Sequence, residues 1–152
     1  MPSGTVYFFF EDVKFPLSIK RSIKKWLRTL ISSKGFSLEN INLIFCSDSY
    51  LLKVNKEHLN HDYFTDIITF DYCVDNKVNG DLFISYDRVI ENAFIHKASQ
   101  QEELLRVIAH GTLHLLRFSD KSLEDKEIMR NEEDRALEFF HGLDVSRETS
   151  IS

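Results

Sequence analysis

Strand-forming segments end by Tyr86 in this chain, and the residues beyond it carry helical periodicity. That order, strands early and helices late, predicts an α+β fold with a sheet packed against helices. The β-branched and aromatic runs are Thr5 to Phe10, Ile41 to Cys46, Ile67 to Tyr72 and Leu82 to Tyr86. Apolar residues recur at helical spacing over Ser18 to Ser32, Tyr50 to Leu59, Asp87 to Lys97, Gln100 to Leu116 and Ser122 to Phe140. The expectation is a single mixed sheet of about four strands packed against about five helices.

Connections have to be short. Both prolines lie in the first sixteen residues, only five glycines occur, and no linker or internal repeat interrupts the rest. A chain of 152 residues is then expected to form one domain over residues 1–152. Asp75-Asn76-Lys77 and Asn79-Gly80 supply turn residues for a hairpin-like connection between the third and fourth strands. Ser47 or Asp48 can cap the second helix, and Ser122 with Asp125 forms a capping-box-like start for the last. In the first helix Ile19, Ile23, Trp26, Leu27 and Leu30 form an inner stripe, with Lys20, Arg21, Lys24, Lys25 and Arg28 outside. In the last, Ile128, Leu137 and Phe140 are the expected inner anchors.

Composition removes several classes. Phe8-Phe9-Phe10 is followed at once by Glu11, Asp12 and Lys14, so the aromatic run reads as a strand and not a signal peptide or membrane segment. Cys46 and Cys73 form no Cys-x-x-Cys pair, which points to buried thiols in a reducing cytoplasm. A formal net charge of −5 excludes a surface that is one continuous nucleic-acid footprint. Any RNA contact then needs a local cluster of cations, helped by a metal's own charge.

The chemistry concentrates at His110 and His114. Four residues apart in a strongly apolar helix, their imidazoles project from one face and can grip one cation. The competing reading is a pair of hydrogen-bonded core histidines, which would need several polar partners among Val107, Ile108, Leu113 and Leu115. A metal would ask for a third ligand. Asp120 sits in the short connection after this helix and can turn back on the histidines.

The stretch His110-Gly111-Thr112-Leu113-His114-Leu115 resembles the signature of the YbeY family, metal-dependent endoribonucleases that help mature bacterial ribosomal RNA. Two further blocks are similar to the family in the same order. One is Asn55 to Phe70 (NKEHLNHDYFTDIITF), matched at Thr65, Asp66, Thr69 and Phe70; the other is Gly80-Asp81-Leu82. The resemblance implies a third metal ligand six residues beyond the second histidine, usually histidine, and that position is Asp120. It also implies one zinc or other divalent ion per chain, cleavage of RNA phosphodiester bonds in single-strand-type substrates, and partners among ribosomal RNA or ribosomal subunits, in rRNA processing and ribosome quality control.

Three departures bear on that implication. Asp120 in place of histidine makes a zinc site one charge less positive, its bound water less acidic, and tilts preference toward harder metals such as manganese or iron. The family's arginine before the Thr-Asp block aligns with Leu59, which cannot hold phosphate. Candidates for that role are Lys53, Lys56, His58, His61, Arg117 and Lys121, each of which taken singly reads more readily as solvated surface charge. Arg117 also stands where the family tends to place a helix-ending glycine. A non-glycine there costs on the order of 1 kcal/mol unless the turn has changed, and with it the shape of the loop carrying Asp120.

Metallopeptidases with His-x-x-x-His carry a glutamate after the first histidine as general base; Gly111 stands there, which argues against peptide hydrolysis. Asp66 could orient a water, though an aspartate after threonine at a strand entrance is expected to bond loop backbone. No catalytic side chain beyond the metal ligands is assigned. Two alternatives to a nuclease stay open: a non-catalytic ribosome- or RNA-associated module with a structural metal, and an iron(II) oxygenase using two histidines and a carboxylate.

Overall fold

The computed structural model describes residues 4–61 and 65–143. Residues 62–64 of the Asn55 to Phe70 block and the last nine residues of the expected domain lie outside the described residues. The elements are β1 (Thr5–Phe10), α1 (Lys20–Ser33), β2 (Ser37–Cys46), α2 (Asp48–Leu59), β3 (Ile67–Asp71), β4 (Lys77–Ser85), α3 (Tyr86–Ile95), α4 (Gln100–Leu115) and α5 (Leu123–Gly142). One sheet of order β1-β2-β4-β3 results, parallel across β1, β2 and β4 and antiparallel at β3. The fold is α+β, with a mixed four-stranded sheet and five helices.

Packing divides by sheet face. One face carries the main core, where Ile23, Trp26, Leu27, Leu105, Ile108 and Leu113 meet Val6, Ile41, Leu43, Leu82 and Ile84. The other carries a smaller cluster of Cys46, Leu51 and Ile68 under α2, with Phe70 and Phe83 beside it. α1 buries the expected stripe, and its Trp26 indole donates to the Ala136 carbonyl at 2.8 Å, tying α1 to α5. Ser47, Ser99 and Ser122 are the N-caps of α2, α4 and α5, each accepting a backbone N–H from three residues on.

Two local expectations change. Asn79-Gly80 lies inside β4, and the turn is Asp75-Asn76, with Asp75 at a φ of 55°. Gly80 is required for packing: a Cβ there would stand 2.9 Å from both Leu115 methyls and from the Phe70 carbonyl oxygen. On α5, Ile128 is 44% exposed and Met129 takes the inner position at 2%. The inward stripe is Met129, Glu133, Ala136, Leu137 and Phe140. Its acidic member, Glu133, hides the stripe from a reading based on apolar spacing.

Candidate metal centre

α4 is buried around most of its circumference, and the half-buried His110 and His114 occupy its open side. Between them on the helix, Gly111 faces the sheet. A Cβ there would come within 2.7 Å of the Ile67 Cδ1 and 2.8 Å of the Leu82 Cδ2, so the helix sits against β3 and β4 only because position 111 has no side chain. A glutamate base at this position has no room.

The three candidate ligands converge. His110 Nε2 and His114 Nε2 are 3.1 Å apart, and Asp120 Oδ2 lies 3.2 Å from the first and 3.3 Å from the second. Ligand atoms bound about 2.0 Å from one tetrahedral ion stand about 3.3 Å apart. Octahedral bonds of about 2.1 Å give about 3.0 Å. The observed triangle is one face of either polyhedron, with the opposite side facing the cleft.

Hydrogen bonding on the far side of each ring sets which nitrogen faces the triangle. His114 Nδ1 lies 3.0 Å from the Phe118 carbonyl oxygen, an acceptor only, so Nδ1 carries the proton. His110 Nδ1 lies 2.6 Å from the Glu133 Oε2, and an ionised carboxylate likewise only accepts. Both neutral rings therefore turn the Nε2 lone pair toward each other and toward the Asp120 carboxylate. Three acceptors at hydrogen-bond distance suit a positive charge between them, whether a metal ion or a proton on one ring. Each imidazole has the outer-shell partner that fixes a metal-binding tautomer.

Glu133 was not among the residues singled out from sequence. Its carboxylate is 8% exposed and also accepts from Arg106 at 2.9 Å, while Arg106 reaches Asp134 at 2.7 Å. An acid on the inward stripe of a helix was the available signal. Burial alone lowers the His110 pKa, but the Glu133 hydrogen bond and the charges of Glu133, Asp120 and Asp66 outweigh it, leaving the ring easier to protonate than usual.

Asp120 is placed by the end of α4. Phe118 N–H donates to the Leu113 carbonyl and Arg117 N–H to that of His114, both at 3.0 Å, with Arg117 at a φ of 76°. This is a Schellman turn with arginine in the left-handed position. The turn expected of a glycine is thus retained despite a cost of roughly 1 kcal/mol.

A cleft of about 690 Å³ opens over the triad, lined also by Asn55, Leu59, His61, Asp66, Thr69 and Lys121. Of the candidate cations, His61 and Lys121 line it. Arg117 is turned to the Asp75 carbonyl, and His58 packs edge-on to Phe70. Lys53 and Lys56 are not among the lining residues. Leu59, 39% exposed, is a cleft residue, so the position at which the resemblance implies an arginine faces the site with an apolar side chain. Burial pushes the Asp66 carboxyl above its ordinary pKa, with Glu103 and Glu133 adding to the rise and His110 and its own backbone N–H opposing it.

Comparison with known proteins gives both a family match and a fold match. The family model described as endoribonuclease YbeY matches residues 9–141. A Cytophaga hutchinsonii protein named endoribonuclease YbeY is 46% identical over 138 residues, covering 90% of this chain and 96% of that one. The protein of that name from Bacteroides thetaiotaomicron is 47% identical over 127 residues, covering 84% of this chain and 93% of its own. The solution structure of a Thermotoga maritima protein is similar in fold, with a TM-score of 0.66 over 90% of this chain and 89% of that one at 24% identity.

Proposed function

Because the chain belongs to the endoribonuclease YbeY family, we propose that it is a metal-dependent endoribonuclease acting on ribosomal RNA in the cytoplasm, with His110, His114 and Asp120 as its metal ligands. The observation that carries this is the triangle of lone-pair atoms at 3.1–3.3 Å on the floor of an open cleft. Zinc, one ion per chain, suits two imidazoles and a carboxylate; the carboxylate also admits manganese or iron. A divalent ion held there supplies charge to polarise a phosphodiester oxygen and to acidify a water.

The chain's own residues do the rest. Glu133 and the Phe118 carbonyl orient the imidazoles. Lys121, next to Asp120 in sequence, and His61 across the cleft are placed to meet phosphate oxygens in the absence of an arginine at Leu59. Asp66, half-buried at the cleft wall with a carboxyl that burial pushes above its ordinary pKa, is placed to orient a water. No helix among the described residues is long and apolar enough to cross a membrane, and both cysteines are free thiols, which supports a reducing compartment.

The oxygenase reading loses ground because the sheet is a four-stranded mixed one and not a jelly roll. A purely structural metal is disfavoured by a triad that leaves one side of the ion to the cleft. The deciding experiment incubates the full chain with single-stranded and duplex RNA, chelated and then reloaded with zinc, manganese or iron. Cleavage should vanish on chelation and in His114→Ala and Asp120→Ala. Wild-type cleavage by either variant after loss of its metal would overturn the assignment, and tight metal without any cleavage would favour the structural role.

A further inference from the structure

Among the described residues, the Asp120 carboxylate pairs only with the two imidazoles. Its position is therefore set by the chain that leads to it, and that chain passes through one unfavourable residue. Arg117 has a φ of 76°, in the region that side chains with a Cβ avoid. Its side chain, however, makes two contacts with distant parts of the chain. Nη2 donates to the Asp75 carbonyl oxygen at 2.6 Å, and the group lies over the Phe36 ring with Cζ 5.3 Å from the centroid. Asp75 belongs to the turn between β3 and β4, and Phe36 to the connection between α1 and β2.

We propose that the Arg117 side chain is a positioning residue for the metal centre: by bridging Asp75 and Phe36 it holds the left-handed turn that glycine would adopt freely, and so keeps His114 and Asp120 in ligand geometry. The chain of contacts is short. The turn presents the Phe118 carbonyl to His114 Nδ1 at 3.0 Å, fixing that ring's tautomer, and sends residues 118–120 back over the helix end. If the turn relaxes, His114 loses its orienting acceptor and Asp120 its approach. The tether thus couples the β3–β4 turn to the metal loop. It rests on the metal-centre reading above, and the measurement keeps the two apart.

The test uses the full chain, stripped and reloaded with Co²⁺ or Zn²⁺, with affinity from chelator competition and coordination from the Co²⁺ visible spectrum; thermal melting checks the fold. Arg117→Ala keeps the strained backbone and loses the tether, so metal affinity should fall about ten-fold and the spectrum should move toward that of Asp120→Ala. Arg117→Gly removes tether and strain together and should bind within about two-fold of wild type. Phe36→Leu should weaken binding in the wild type and leave the Arg117→Gly background unchanged. Wild-type affinity in Arg117→Ala, or a loss in Arg117→Gly equal to that in Arg117→Ala, overturns the proposal. If Arg117→Ala does not fold, the Phe36→Leu pair decides, and equal effects in both backgrounds overturn it. A wild type whose metal binding is unaffected by His114→Ala would instead show the metal-centre reading to be wrong, and the tether with it.

Discussion

His110 and His114 ride on the same helix four residues apart, yet they are held by different means. His110 is gripped by a side chain from another helix, Glu133 on α5, itself clamped by Arg106. His114 is gripped by a backbone carbonyl, that of Phe118 in the terminal turn of its own helix. One ring therefore depends on tertiary docking and a charged partner, the other on local chain geometry. A single polar substitution can disarm the first; the second yields only to changes that reshape the turn.

The largest expected effect tests the His110 side of this contrast. Glu133→Ala should weaken metal binding by about 10- to 100-fold, with Glu133→Gln much milder because an amide oxygen can still accept from Nδ1–H. Chelator competition measures it, and unchanged affinity in Glu133→Ala would erase the distinction drawn between the two rings. A substitution under both rings should instead affect them together. Gly111→Ala drives a methyl against Ile67 and Leu82, and should lower stability by about 1–3 kcal/mol in urea unfolding. A fully wild-type unfolding midpoint would mean that α4 is not seated as tightly as the distances indicate.

The smallest effect is one of pH. In metal-free protein the raised His110 pKa stabilises the fold fully below the unfolded value near 6.5, and that contribution is lost as pH rises through the folded pKa. Melting temperature with chelator present should therefore show a component falling across that window, and Glu133→Gln should flatten it. With metal bound the sign reverses, since the ion competes with the proton for Nε2. A profile identical in wild type and Glu133→Gln would remove Glu133 as the source of the shift.

The same contrast explains what was legible in the sequence. The histidine pair announces itself because its spacing is a property of one helix. Asp120 was legible as a position, but its approach depends on a turn whose usual glycine is replaced. Glu133 was hidden because it meets His110 across 23 residues from within a run of surface-like charges. The Phe118 carbonyl has no sequence signature at all, since every residue carries one. Four strands and five helices followed from periodicity, while errors fell where a residue serves a distant neighbour: Gly80 reads as a turn but makes room for Leu115, and Met129, not Ile128, faces the core.

The bond from the Trp26 indole to the Ala136 carbonyl gives this architecture a built-in optical label. Trp26 is the chain's only tryptophan and is fully buried, and its acceptor lies three residues beyond Glu133 on α5. Its emission therefore reports whether the helix carrying Glu133 is docked. Removing the ion while the fluorophore stays blue-shifted would mean a centre that empties inside an intact scaffold; a red shift accompanying metal loss would mean that the ion helps to lock α5 in place.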